Sequence, residues 1–233
     1  MAVDNTFLSP VLQRPLEFGA DLVVHSTTKY LNGHSDVVGG AVVTADGSLG
    51  EELAWWANCL GITGAPFDSF LTLRGLRTLH ARMDAHERNA AAVVAALENH
   101  PGVKRIYYPG LRSHAGHAIA KKQQDGFGAM VSVELAGGIA GVETFVGNLT
   151  CFTLAESLGG VESLVAHPAT MTHASMDEAA RRNAGIDDCL VRLSVGIEHA
   201  DDLVVDVTGA LNAVVSTLDS RIDEVSESCE VTV

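Results

Sequence analysis

The sequence predicts an α/β domain followed by an α+β layer domain. Three observations carry this expectation. Residues 20–25 form a short apolar run rich in β-branched side chains, as a buried strand does. Residues 67–100 are helix-prone throughout, and a helix of that length can bridge two domains. Past Pro101-Gly102, strand patterns and helix patterns alternate.

The elements follow in order. Residues 1–3 read as a strand end, and Asp4-Asn5-Thr6 and Ser9-Pro10 then signal a loop. The strand at 20–25 is next. Another strand is expected over 37–44, entered after Asn32-Gly33 and left through Asp46-Gly47. Residues 51–59 read as a helix. In the long helical stretch, Leu71, Leu76, Leu79 and Met83 recur at near-helical spacing with Arg74, Arg77, Arg82 and Arg88 between them. Residues 89–98 are rich in Ala, and Pro101-Gly102 stops the helix. A domain boundary near residue 85 gives a first domain of 1–84 and a second of 85–217. In the second, strands are expected at 103–108, 129–135, 151–154 and 190–195, with helices at 139–147 and 201–218. The last helix opens on Asp201-Asp202, acids that suit the positive end of a helix dipole. Residues 218–233 read as a solvated acidic tail, because 219–233 hold five acids and one Arg.

Composition removes several function classes. A chain of 233 residues can bury a core. With 29 acidic and 15 basic residues the formal net charge is −14, which argues against nucleic acid as a partner. No apolar run of about 18 residues exists to span a membrane. The first residues carry neither a basic nor an apolar leader, so a cytoplasmic location is expected. Cys59, Cys151, Cys189 and Cys229 are far apart, so reduced thiols are expected rather than disulfides or a zinc site. His114-x-x-His117 reads as surface, having no ligand-forming neighbours.

Four places carry possible chemistry. Lys29 directly follows the strand at 20–25, among Ser26, Thr27 and Thr28. Ligands of α/β sheets bind past the carboxyl ends of strands, and a lysine beside a dry pocket can act as nucleophile or base. A surface lysine in a polar loop is the plain alternative. Asp4 also follows a strand end, where it could face a cationic ring nitrogen or merely close a turn. Arg192 is the only charge in the run Leu190-Val191-Arg192-Leu193-Ser194-Val195. It either grips a carboxylate or faces water from an edge strand. Glu156-Ser157 leads into Gly159-Gly160, a plain turn or part of the same grip.

Together these segments resemble the Cys/Met-metabolism family of fold-type I pyridoxal-phosphate enzymes. The motifs are Asp4-Asn5-Thr6-Phe7-Leu8-Ser9-Pro10, the run from Ser26-Thr27-Thr28-Lys29 through Asn32-Gly33-His34-Ser35-Asp36, Ala155-Glu156-Ser157-Leu158-Gly159-Gly160, Met171-Thr172-His173, and Leu193-Ser194-Val195-Gly196-Ile197-Glu198. The resemblance runs from residue 2 to about residue 217. Ala54-Trp55-Trp56-Ala57-Asn58, Phe67-Asp68-Ser69-Phe70 and Leu73-Arg74-Gly75-Leu76-Arg77-Thr78-Leu79 are most similar to the cystathionine γ-synthase branch.

The resemblance implies an aspartate aminotransferase-like fold, in which a truncated cofactor domain precedes an α+β C-terminal domain. It implies pyridoxal 5'-phosphate as cofactor. Lys29 matches the Schiff-base lysine and proton shuttle, and Asp4 the partner of the pyridine nitrogen with Thr6 beside it. Ser26 and Thr28 match phosphate contacts. Ser157 and Arg192 match the grip on the substrate carboxylate, and Glu156 a position beside the substrate side chain. The implied reaction is γ-replacement on O-succinyl- or O-acetylhomoserine with cysteine, giving cystathionine. Cystathionine γ-lyase, methionine γ-lyase and O-acetylhomoserine sulfhydrylase chemistry are the alternatives within the family. Amino-acid substrates and a homo-oligomer, a tetramer in the family, are implied; nucleic acid and membrane are not. Family members are much longer, and their phosphate loop and ring-stacking tyrosine have no match here. The chain is therefore expected to be a fragment or one half of a split enzyme. Alone it would turn over little, or serve as an inactive assembly partner.

Overall fold

In the computed structural model, residues 1–171 and 174–230 are described, with Glu178 and residues 221–230 described by backbone alone. Thr172 and His173 of the Met171-Thr172-His173 motif lie outside the described residues. The chain divides into two units, described here separately. The first holds Met1–Glu87, Pro109–Gly128 and Leu158–Val161; the second holds Arg88–Tyr108, Ala129–Ser157 and the chain from Glu162 onward.

The first unit is built on a three-stranded sheet of β1 (Ala2–Asp4), β2 (Leu22–Ser26) and β3 (Gly40–Val43). β1 and β2 run parallel, with Asp4 opposite Val24, so the carboxyl ends of both strands open on the same edge. A parallel pair needs a crossover, supplied here by α1 (Ser9–Leu12) and a 3-10 turn at Pro15–Phe18. β3 is antiparallel to β2 and shorter than the 37–44 expected from sequence. The approach to β3 is diverted because the Gly39 amide donates to the Thr28 hydroxyl at 3.0 Å.

α2 (Gly47–Leu60) is capped by Asp46, whose Oδ1 accepts from the Ser48 and Leu49 amides. α2 buries none of its residues; Trp55, Trp56 and Leu60 are exposed, as are Phe67, Phe70 and Leu73 of α3 (Pro66–Leu76). The helical stretch expected to be continuous over 67–100 breaks after Leu76, and α4 (Leu79–Leu97) follows. Gly75 explains the break. A Cβ there would lie 2.3 Å from the Asn32 carbonyl oxygen, so α3 ends in a close backbone approach that only glycine allows. Leu79, Met83, Tyr30, Leu31 and Val23 form the buried apolar centre of this unit. α5 (His117–Gln123), not expected from sequence, also belongs to it. There His117 Nδ1 bonds the Pro109 carbonyl, and His114 Nδ1 accepts from the Gly116 amide.

The second unit is a five-stranded sheet in the order β4 (Val103–Tyr107), β5 (Met130–Leu135), β8 (Leu190–Ser194), β7 (Leu164–Ala166), β6 (Thr153–Leu154). All pairs are antiparallel except β7 with β6. β5 alternates as its sequence predicts, burying Val131, Val133 and Leu135. α6 (Gly138–Asn148) packs on α8 (Ala200–Glu230), which buries Leu203, Val207, Ala210, Leu211 and Val214 at helical spacing. The helix expected over 201–218 thus continues into the acidic segment; the side chains of 221–230 lie outside the described residues. β6 is two residues shorter than expected. The Cys151 and Phe152 amides donate to the Asp206 carboxylate, at 3.0 and 3.1 Å, and not to a strand. β7 and α7 (Glu178–Asn183) were too short to announce themselves by periodicity.

Candidate functional site

The shared edge of β1 and β2 gathers three of the sequence-predicted residues. The Asn5 amide donates to the Val24 carbonyl, which carries the parallel register one residue past β1. The Thr6 amide then donates to Asp4 Oδ1 at 2.9 Å, and the Ser26 amide donates to the Thr6 hydroxyl at 2.8 Å. Hydrogen bonding to Asp4 from the Thr6 hydroxyl, and next from the Thr6 amide, holds the Asp4 carboxyl below the ordinary carboxylate range against a smaller opposing effect of burial. Asp4 is therefore a carboxylate at neutral pH. An open cavity of about 360 Å³ lies here, lined by Asp4, Asn5, Thr6, Phe7, Leu8, Gln13 and Ser26.

His25 stands on the same strand, buried, with Nδ1 out of solvent and lacking a hydrogen-bond partner among the described residues. Burial pushes its pKa down, and the nearby Asp4 charge only partly opposes this. The imidazole is accordingly neutral at pH 7.

Lys29 lies on the turn directly after β2. Thr27–Leu31 form a π-helical turn, closed by the Asn32 amide on the Thr27 carbonyl at 3.1 Å. Lys29 itself departs from helical geometry, at φ −90° and ψ −134°, and is half-buried. π-turns inside helices often mark functional positions because they re-aim one side chain. The Thr28 hydroxyl is bound to the Gly39 backbone, so it buttresses the turn. The strap Leu158–Val161 also closes on this turn. The Val161 amide donates to the Gly33 carbonyl at 2.9 Å, and Gly159, at φ +73°, lies so near Tyr30 that a Cβ would come within 3.0 Å of its backbone nitrogen.

In the second unit, Arg192 sits on β8 between β5 and β7, opposite Ser132 and Ala166. The edge-strand alternative is thereby corrected: β8 is an interior strand, paired on both sides. Arg192 Nη2 donates to the Ser157 carbonyl at 3.1 Å, which brings those two predicted residues together. Glu156, the third, is exposed beside them in sequence.

Three supporting residues had no role assigned from the sequence, although Glu198 stands in the Leu193–Glu198 motif. Glu198 Oε1 accepts from the Ser163 amide and Oε2 from its hydroxyl, and that hydroxyl accepts from the Gly196 amide. Asn89 Nδ2 donates to the carbonyls of Gly196 and Glu198, at 3.0 and 2.8 Å. Asp206 fixes Thr150, Cys151 and Phe152 just before β6. Each was an ordinary polar letter in a helix or loop; only its partners give it meaning.

Comparison with known proteins shows the family. The family model of Cys/Met metabolism PLP-dependent enzymes matches residues 1–212. Cystathionine γ-synthase of Escherichia coli K12 is 58% identical over 211 residues, covering 91% of this chain and 55% of that protein. Cystathionine β-lyase of Coxiella burnetii is 55% identical, covering 89% of this chain and 54% of that one. The crystal structure of cystathionine γ-synthase from Xanthomonas oryzae pv. oryzae, in complex with aminoacrylate and cysteine, superposes with a TM-score of 0.91 at 63% identity, covering 93% of this chain and 56% of that one. The chain thus spans about half the length of the relatives it matches. The family is dependent on pyridoxal phosphate, and the donor set here fits that group: an ionised carboxylate, hydroxyls and amides, and a lysine on the adjoining turn.

Proposed function

This chain belongs to the family of Cys/Met metabolism PLP-dependent enzymes, and we propose on that footing that it carries the lysine and the substrate-carboxylate grip of a trans-sulfuration site. The reaction is γ-replacement: cysteine displaces the acyl group of O-succinyl- or O-acetylhomoserine, and cystathionine forms. The observation that carries this reading is the tie of Asp4, Thr6 and Ser26 at the strand edge from which the Lys29 turn emerges.

Lys29 Nζ would hold pyridoxal phosphate, with Asp4 on its ring nitrogen, Thr6 beside Asp4, and Ser26 and Thr28 toward its phosphate. When bound, that group condenses with amines and withdraws electrons from the substrate carbon. An ionised Asp4 keeps a facing ring nitrogen protonated, because opposite charges a few ångströms apart favour each other. Arg192 holds the substrate carboxylate through its two-pronged guanidinium, with Ser157 beside it. For Lys29 Nζ the proposed role is that of general base toward the substrate's Cα proton. Glu156 stands by the substrate side chain. Homo-oligomerisation belongs to the same proposal, supported by the exposed apolar row of Trp55, Trp56, Phe67 and Phe70.

The test is a product assay on the chain co-expressed with the segment that its longer relatives carry and it does not match. Cystathionine formed from O-acylhomoserine and cysteine is measured against keto acid released from cystathionine. The proposal expects the first to dominate and Lys29→Ala to abolish it. Keto-acid release alone would assign the chain to the lyases, a reading favoured by the β-lyase relative at 55% identity. Equal signals from wild type and Lys29→Ala would end both readings.

A further inference from the structure

Arg82, near the start of α4, is 5% exposed. Burial pushes its pKa down, with no charged neighbour among the causes, and no carboxylate pairs with it among the described residues. Its hydrogen bonds go to neutral oxygens. Nε donates to the Thr78 hydroxyl at 3.1 Å, Nη1 to the Tyr30 carbonyl at 2.8 Å, and Nη2 to the carbonyls of Gly75 at 2.9 Å and Leu31 at 3.5 Å. A buried cation without an acid is costly, and an ordinary helix would not keep one.

Two of those acceptors identify its purpose. Tyr30 and Leu31 are the last residues of the π-turn that carries Lys29. A helical turn ends in carbonyls lacking intrahelical donors, and a cation there satisfies them and offsets the dipole. The surroundings are cut to fit. A Cβ at Gly33, which has φ +74°, would lie 2.0 Å from Arg82 Nη1, and one at Gly75 would lie 2.3 Å from the Asn32 oxygen. The turn, the end of α3 and the start of α4 therefore meet at one guanidinium.

We propose that Arg82 is a positioning residue for Lys29, locking the turn so that the lysine leaves the chain in its non-helical geometry. The proposal rests on the reading that Lys29 holds pyridoxal phosphate. Its experiment separates the two. In one arm, hydrogen exchange is followed at the Asn32 and Gly33 amides, which close the turn on Thr27 and Lys29. In the other, the chain is titrated with pyridoxal phosphate and the visible band is read against Lys29→Ala as background.

The variants are Arg82→Met, which keeps the length and loses every donor, and Arg82→Lys, which keeps the charge but offers its donors from one atom. Gly33→Ala crowds the guanidinium and also strains the backbone at φ +74°, so it serves as the control for a turn loosened directly. Exchange should quicken in all three. The half-saturating cofactor concentration should rise about tenfold, which is about 1.4 kcal/mol of binding. Arg82→Lys should lie between wild type and Arg82→Met, a graded rescue that loss of folding would not give. Should Arg82→Met fail to fold, Arg82→Lys decides the matter. Wild-type exchange, or faster exchange with an unchanged titration, in folded variants overturns the proposal. A wild-type band no stronger than that of Lys29→Ala overturns the Lys29 reading instead, and the exchange arm still judges the joint.

Discussion

Replacing Asp206 with Ala should cost the second unit about 3 kcal/mol. Asp206 is buried on the apolar face of α8, and its two oxygens take four hydrogen bonds: from the Thr150 amide and hydroxyl, both at 2.7 Å, and from the amides of Cys151 and Phe152. A hydrogen bond to a charged group contributes about 1.5–3 kcal/mol, and a buried donor left unpaired costs about 1–3 kcal/mol. Phe152 is buried and cannot turn to water, whereas Thr150 and Cys151 are partly exposed or exposed and regain some of the loss. One full penalty plus fractions of three others gives the figure of about 3 kcal/mol. For a chain of this size that lowers Tm by about 6–12 °C. Asp206→Asn keeps one acceptor but turns an amide group toward two N–H donors, so it should lose about 2 kcal/mol. Urea melts followed by far-UV circular dichroism measure both. A loss below about 0.5 kcal/mol for Asp206→Ala would show that the carboxylate does not hold the Thr150–Phe152 segment, and this part of the reasoning would fail.

Further outcomes follow from the same geometry. Thr6→Val removes the hydroxyl that helps depress Asp4, so carbon-detected NMR titration should find the Asp4 pKa higher than in wild type. The folded pKa of Asp4 lies below its unfolded value, so its contribution is present above the unfolded pKa and lost as pH falls through the folded one; Thr6→Val should shrink that acid dependence. Tyr107 donates to the Glu134 carboxylate, which raises its pKa. Its contribution is present below the unfolded tyrosine pKa and lost as pH rises through the higher folded value, so Tyr107→Phe should flatten the alkaline limb of a stability–pH curve. Burial, helped by Asp187, pushes the Cys189 thiol up to about 11, whereas Cys59 is exposed. A thiol reagent at pH 8 should therefore label Cys59 first and reach Cys189 only on unfolding, as peptide mapping would report.

Much of this fold was legible in the sequence because periodicity survives where one face is buried. β5 alternates in the structure as in the letters, and the apolar stripe of α8 follows helical spacing. The strand ends near Asp4 and Lys29 were legible, although Asp4 closes β1 and does not follow it, and the register Asp4 to Val24 puts those ends together. Arg82 was not legible. It sits among Arg74, Arg77 and Arg88 in a helical pattern, and sequence alone makes all four look like solvated arginines. Gly33 and Gly75 were the available signal, since each marks a backbone approach that a side chain would block. Asp206 was hidden for a similar reason: an acid on an acidic helix reads as surface until its four partners appear. The break at Leu76 was missed because helix propensity continues through it, and tertiary contact with Asn32 overrides propensity there.

Lys29 is the proposed cofactor lysine of this chain. Only Lys104, Lys121 and Lys122 compete with it. The direct measurement is a peptide map after saturation with pyridoxal phosphate and reduction by borohydride, which makes the lysine–cofactor link permanent. The pyridoxyl mass is expected on the peptide containing Lys29, ahead of the other three lysines. Label spread evenly over all four lysines, or concentrated away from Lys29, would contradict it.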